Sequence, residues 1–209
     1  MRYADDCNVF VRSEKAAGRV LGKLTRFIEE KLKLKVNPTK SKAGPSSAVK
    51  FLGMTVLAGG MVAISAASMT RAKAKVKELL PRSGKAPLEV QIENVNRWYR
   101  GWAEYYAMGE YPGQLRAIEA RIRVRFRLQF IKNHKRKKHL IRKLVKRGIR
   151  RATAYREVYS RNYGRWRLAH TFSVGQAWSE TWFREHGLIT VSKEKRDHWK
   201  SLKAYPKLL

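Results

Sequence analysis

The chain has 209 residues, 44% of them hydrophobic, enough for one sizeable domain or two small ones with a buried core. Forty-seven Lys and Arg against sixteen Asp and Glu leave a formal net charge of +31, which calls for a polyanionic partner: nucleic acid first, a membrane surface as the lesser alternative. One cysteine, Cys7, excludes an internal disulfide framework and a multi-cysteine zinc site; it suits a reducing, cytoplasmic setting and reads as a small buried hydrophobe.

No charged segment followed by an apolar core opens the chain, so no secretory signal is expected. Tyr3, Ala4, Asp5 and Asp6 stand between Met1–Arg2 and the apolar run Cys7, Val9, Phe10, Val11. Two adjacent carboxylates between short β-prone segments read as the tip of a hairpin. Closely set carboxylates are the ligands Mg²⁺ prefers, and two such ions about 4 Å apart clamp the attacking and leaving oxygens of a phosphoryl transfer. An Asp-Asp pair is most often an ordinary solvated turn, so the tetrapeptide alone is a weak signal of metal binding.

From Ser13 the period changes. Ser13 as N-cap, Glu14 in the first turn, and Ala17, Val20, Leu21, Leu24, Phe27, Ile28 and Leu32 at three- and four-residue spacing predict a helix ending near Lys33. Its single apolar face should pack on a sheet. Val36 to Lys40 forms a turn that Pro38 keeps from continuing as helix. After the loop Gly44–Ser47, Val49 to Met54 reads as a strand, and Thr55–Leu57 with Met61–Ile64, split by Gly59 and Gly60, reads as a hairpin. The stretch from Phe51 to Met69 is uncharged over a length that would just span a bilayer. Its glycines, Thr55, Ser65, Ser68 and central turn signal argue against a membrane span.

In this order a YADD hairpin, an amphipathic helix, a VNPTKSK turn and a KFLGM strand resemble the C-terminal half of the palm of group II intron-type reverse transcriptases. The resemblance implies that Asp5 and Asp6 supply two of three metal-binding carboxylates, Asp5 contacting both Mg²⁺ ions. It places Asn37 and Lys40 near the incoming nucleotide, with Tyr3 part of the same nucleotide and primer site. Lys40 would then protonate the leaving pyrophosphate or hold its charge, and Phe51, Leu52 and Gly53 would grip the primer strand. For Lys40 and Lys42 a solvated basic turn stands as the alternative.

Beyond Ser68 the sequence is helical and more basic. Met69 to Leu80 forms a short helix with Lys73, Lys75 and Lys77 outward, stopped by Pro81 and Gly84. Leu88 to Met108 follows, with Ile92, Val95, Trp98, Tyr99, Trp102 and Tyr106 as its buried stripe, and Arg97, Arg100 and Tyr105 as candidates to face nucleic acid. Leu115 to Phe130 fits two patterns. Arg121, Arg123, Arg125 and Arg127 alternate with apolar residues as in an exposed strand, yet Leu115, Ile118, Ile122, Phe126 and Phe130 make a helical stripe. Length, the Ala and Glu residues at its start and helical neighbours favour the helix.

Lys132 to Arg151 is the densest charge run. Lys135, Arg136, Lys137, Lys138, Arg142, Lys143, Lys146, Arg147, Arg150 and Arg151 surround an apolar line of Leu140, Ile141, Leu144 and Val145. That pattern describes a docked helix, ended by Gly148, whose outer face meets phosphates. The five histidines are scattered, without a metal-binding cluster. Asn162 to Val191 includes NYGRWRLAHTF, with Arg165 and Arg167, then one helix over Val174, Ala177, Trp178, Thr181, Trp182 and Phe183 that stops at Gly187.

The segments RWYRGWAEYY at Arg97–Tyr106 and WRLAHT at Trp166–Thr171 are similar to the thumb or maturase region of bacterial group II intron proteins. The resemblance thus runs from Arg2 to about Val191. It implies an α+β protein: a small antiparallel palm-remnant sheet with one packed helix over residues 1–67, an all-α thumb/maturase domain over 68–192, and a basic tail over 193–209. The implied activity is RNA-directed DNA synthesis by Mg²⁺-dependent nucleotidyl transfer, joined to intron maturation, with group II intron RNA and a primer-template duplex as partners.

The family's third carboxylate and its fingers region precede YADD, and only two residues do so here. The chain alone is therefore expected to be inactive, as a fragment or as a half that docks with an N-terminal half in trans. Lacking cysteine pairs, it resembles the endonuclease-less branch. A noncatalytic RNA-binding splicing factor is the second reading, and a generic basic nucleic-acid protein the third.

Overall fold

The computed structural model describes residues 2–3, 6–57, 60–84, 86–134 and 136–191. The fold is α+β, with helices predominating over two small antiparallel sheets. It divides into two units, Met1–Ser68 with Met108–Tyr111, and Met69–Ala107 with Pro112–Leu209. No helix among the described residues is long and apolar enough to cross a membrane.

In the first unit, β1 (Arg2–Tyr3) pairs with β2 (Asp6–Cys7), Arg2 opposite Cys7 and Tyr3 opposite Asp6. Cys7 is exposed rather than buried, because so short a two-stranded ribbon has no second layer to cover it. Helix α1 spans Glu14–Glu30. Extended Ser13 caps it, its Oγ accepting the Ala16 N–H at 3.3 Å, and Lys33 leaves the helix at φ 55°.

The apolar face of α1 has the expected spacing but is only partly covered, with Ala17, Val20, Leu21 and Ile28 half-buried. None of its residues is buried, and Leu24 and Phe27 are exposed, as is Leu32 just beyond it. Sheets of two strands, each two or three residues long, are too small to cover a 17-residue helix about 25 Å in length.

The strand expected over Val49–Met54 is instead a coiled approach to a tight turn. Ser46–Ala48 forms a 3₁₀ turn. The Thr55 hydroxyl donates to the carbonyls of Ser47 and Val49, both at 3.0 Å, and so holds that segment in a loop. Strand β3 (Met54–Val56) then pairs with β4 (Val62–Ile64) in the register Met54–Ile64, Thr55–Ala63, Val56–Val62, which is the expected hairpin. Glu110 returns to the edge of β4: its N–H donates to the Val62 carbonyl at 2.8 Å and its Oε2 accepts the Val62 N–H at 3.2 Å.

Helix α2 (Ala66–Leu79) begins where buried Ser65 accepts the Ser68 N–H at 3.3 Å, an N-cap that satisfies one of the otherwise orphan donors. The second unit continues with α3 (Leu88–Tyr105), α4 (Pro112–Asn133), α5 (Lys137–Lys146), α6 (Arg151–Tyr159), α7 (Arg165–Leu168), α8 (Phe172–Ala177) and α9 (Glu180–Glu185). Helix α4 is the central strut. Leu115, Ile118, Ile122, Val124, Phe126, Leu128 and Ile131 are all buried, together with Glu119, Arg125 and Gln129, so the helix is enclosed on most of its circumference. That explains why its sequence satisfied a strand and a helix pattern at once.

Phe126 and Phe130 lie 5.5 and 6.2 Å from the Phe183 ring, and Phe130 lies 5.2 Å from Trp178. Two differences from expectation stand out in this unit. The sequence pattern gave no helix over Arg151–Tyr159, where α6 buries only Ala154 and Val158. The single helix expected over Val174–Phe183 is two, because the chain leaves helical geometry at Trp178 (φ −124°, ψ 69°) and Ser179 caps α9 by accepting the Trp182 N–H at 3.1 Å.

Candidate nucleic-acid interface

In the first unit the catalytic candidates are few. Asp5 lies outside the described residues. Asp6 is exposed on β2 opposite Tyr3, itself 62% exposed. Among the described residues no group of three or more His, Cys, Asp or Glu is placed to hold a metal ion. Lys40 is exposed. Asn37 builds its own turn: Oδ1 accepts from the Thr39 N–H at 3.0 Å, the Thr39 hydroxyl at 2.7 Å and the Lys40 N–H at 3.3 Å. These bonds fix where Lys40 leaves the backbone.

Leu52 and Gly53 form a two-residue hairpin turn between Phe51 and Met54. Phe51 and Met54 exchange backbone hydrogen bonds at 3.0 and 2.9 Å, with Leu52 at φ 50° and Gly53 at φ 76°, positive at both central positions as in a type I′ turn. A leucine rarely takes that backbone geometry, so the turn displays an exposed apolar side chain at a conformational cost of about 1 kcal/mol or more.

The basic candidates of the second unit separate into two groups. Arg125 is 4% exposed: its guanidinium donates to the carbonyl oxygens of Leu80 and Lys77 at the end of α2. Burial, then Arg82 and Arg121, hold its pKa below the ordinary value. Arg147 is half-buried, donates to the Ala177 carbonyl at 3.0 Å and lies 4.6 Å from the Trp182 ring. Both were expected to contact RNA, and in the structure the guanidinium of each is engaged by backbone carbonyls. Each ties one helix to another, since a carbonyl row at a helix C-terminus attracts a cation. Arg121 is half-buried, 4.7 Å from the Trp166 ring.

The remaining candidates face solvent. Arg97 is exposed and pairs with Glu93 at 3.1 Å, and Arg100, Arg136, Lys137, Lys138, Arg142, Arg165 and Arg167 are exposed. Lys135 lies outside the described residues. Helix α5 carries the strongest concentration: Lys137, Lys138, Arg142, Lys143 and Lys146 are exposed, while Leu140, Ile141 and Leu144 are buried. Val145, expected on the apolar line, is 40% exposed. Arg150, Arg151, Arg156 and Arg161 continue the cationic surface.

Sequence reasoning passed over the aromatic side chains Tyr155, Tyr159, Tyr163 and Trp166. Their spacing of three to four residues, interleaved with arginines, was the available signal.

Two family models match successive parts of the chain: "Reverse transcriptase (RNA-dependent DNA polymerase)" over residues 1–56, and "Group II intron, maturase-specific domain" over residues 69–148. No curated protein matches it. The first match contains the β1–β2 pair, α1, the Asn37 turn and the Phe51–Met54 turn; the second runs from Met69 within α2 through α5. These two segments, in this order, make the chain similar to part of a reverse transcriptase followed by the maturase-specific domain of group II intron proteins.

Proposed function

We propose that this chain binds group II intron RNA through the outer face of α5 and the cationic turns around it. The observation that carries the reading is the division within α5: five exposed cations on a helix anchored by three buried aliphatic residues. An anchored array of this kind holds its charges at fixed spacing, so that phosphates displace counterions with little further ordering. The test is a salt-titrated comparison of intron RNA with random RNA duplex, using the intact chain and a Lys137, Lys138, Arg142, Lys143 to Gln variant. Intron RNA should bind more tightly than duplex, and the variant should lose affinity and salt slope together. Equal affinity of the intact chain for the two RNAs would leave only nonspecific electrostatics.

In the same reading, DNA synthesis by the family chemistry uses Asp5 and Asp6 as Mg²⁺ ligands. The carboxylate of Asp6 is a hard oxygen donor open to solvent, the kind of ligand Mg²⁺ takes, and the bound ions would neutralise charge on the reacting phosphates. Among the described residues Asp6 is not joined by a group of three or more ligands placed to hold a metal ion. What this chain's own residues would contribute is Lys40, positioned by Asn37, and the primer-facing turn at Leu52. Primer extension should be measured with the chain alone and with an added N-terminal half of a related enzyme. Extension that survives Asp5→Ala would overturn this assignment.

A further inference from the structure

Between Arg151 and Ser179 the sequence carries five arginines and one carboxylate, Glu157. Glu157 turns to the start of α8, where its Oε2 accepts the Ser173 N–H at 3.1 Å. On the same stretch Tyr155, Tyr163, Trp166 and Phe172 are exposed, and Tyr159 is half-buried. The Tyr155 and Tyr159 rings lie 4.5 Å apart. Cations attend the others: Lys137 Nζ is 4.9 Å from the Tyr159 ring, and the Arg167 guanidinium is 5.5 Å from Tyr163.

This surface adjoins α5 at Lys137 and differs from it in what it offers. On α5, four lysines and Arg142 stand over buried aliphatic residues, and the flat groups are only the Arg142 guanidinium and the His139 ring. Here, large rings stay in water beside arginines. Phosphates on a duplex need only the cations, because the bases are stacked on one another; rings add affinity only where base faces are open. The segment also lies beyond residue 148, where the maturase-specific match ends.

We propose that Tyr155–His170 is a stacking surface for unpaired nucleotides of RNA, with Tyr155, Tyr159, Tyr163 and Trp166 taking base faces and Arg156, Arg161, Arg165 and Arg167 taking phosphates. The inference rests on the reading that the chain binds intron RNA and deepens it, assigning duplex backbone to α5 and looped or single-stranded segments to α6 and α7.

The test uses the full chain, an unstructured oligouridylate of about ten nucleotides carrying one 2-aminopurine, and an RNA duplex of similar length. The double variant Tyr155→Leu with Tyr163→Leu should bind the oligouridylate about tenfold or more weakly and lose the 2-aminopurine quenching seen with the intact chain, while duplex affinity stays unchanged. Tyr155→Phe with Tyr163→Phe keeps the rings and should keep both signals. Undiminished oligouridylate binding by the leucine variant, equal weakening on duplex, or loss of binding by the phenylalanine variant would each overturn the proposal. Ring-dependent binding to phosphatidylserine vesicles in place of the oligonucleotide would overturn it too. The glutamine variant of α5 separates the two readings: full intron RNA affinity in that variant refutes the α5 interface and leaves the oligouridylate result standing by itself.

Discussion

Arg127 of α4 closes on Trp178 at the end of α8, its Nε and Nη2 donating to the Trp178 carbonyl oxygen at 3.0 and 2.7 Å. Nη2 also donates to the Gly175 carbonyl at 3.2 Å. Burial, with Arg123 nearby, lowers its pKa to about 10, so the guanidinium is still charged at neutral pH. Arg127→Met should cost about 2–3 kcal/mol, since charge-assisted bonds to partly buried carbonyls are lost together. A lower urea midpoint with an unchanged m-value is the expected result.

Arg125 and Arg142 should behave as opposites. Arg125→Gln removes the donors that close the end of α2 and should lower stability by about 2 kcal/mol. Arg142→Gln, on the open face of α5, should leave stability within about 0.5 kcal/mol and reduce the salt slope of RNA binding by about one. Measuring urea midpoint and salt dependence on both variants checks the pair.

The Tyr99 hydroxyl donates to buried Glu119 at 2.7 Å. Burial, then the Glu119 charge and hydrogen bond, raise the phenol pKa far above its usual value near 10. The unfolded chain can therefore release this proton above about pH 10 while the folded chain retains it. Stability contributed by the pair should be full below that pH and fall as pH rises beyond it. Tyr99→Phe should cost about 2 kcal/mol at pH 7 and flatten the alkaline loss, measured by urea unfolding across pH.

His134 and His170 are both held below the ordinary histidine pKa of 6.5, by burial first and then by cations, Lys143 and His139 for the one, Arg127 and Arg121 for the other. A depressed folded pKa means that the unfolded chain takes up protons first. Stability should be full above the ordinary value and decline as pH falls through it toward the lowered folded values. His134→Gln and His170→Gln should each make the acid side of a Tm-against-pH curve shallower.

Gly148 ends α5 at φ 85°, with its N–H on the Val145 carbonyl at 2.9 Å and the Ile149 N–H on Leu144 at 3.2 Å. A methyl group there would meet nothing within 4 Å, so Gly148→Ala isolates the backbone term. Thermal unfolding should show a loss of about 1 kcal/mol.

Local signals carried much of this architecture. The Ser13 cap, the Gly148 and Gly187 stops and the β3–β4 hairpin were legible because each depends on a few neighbouring residues. So was the open side of α5, where charged and aliphatic residues segregate except at exposed Val145. The carbonyl partners of Arg125 and Arg147 were not legible, because sequence shows that a residue is cationic and not which carbonyl it can reach; Arg125 meets Leu80 across 45 positions. The break at Ser179 was hidden by a continuous apolar spacing, as a capping serine competes with helix only by the bond it makes. The apolar face of α1 was legible as a pattern and the extent of its cover was not, since periodicity identifies a sticky stripe and not what covers it.

The choice of cation along α4 and α5 has a consequence for how this protein tolerates change. Residues 121, 123, 125 and 127 are all arginine, while four of the five exposed cations of α5 are lysine. A planar fork that reaches two acceptors at once has no ammonium substitute, whereas a phosphate accepts either head group as a point of charge. In a saturation library scored by RNA affinity, Arg-to-Lys exchange should be selected against along the central strut and drift freely on the outer helix. The pattern of permitted exchanges would then map which positive charges hold the protein together and which are offered to its ligand.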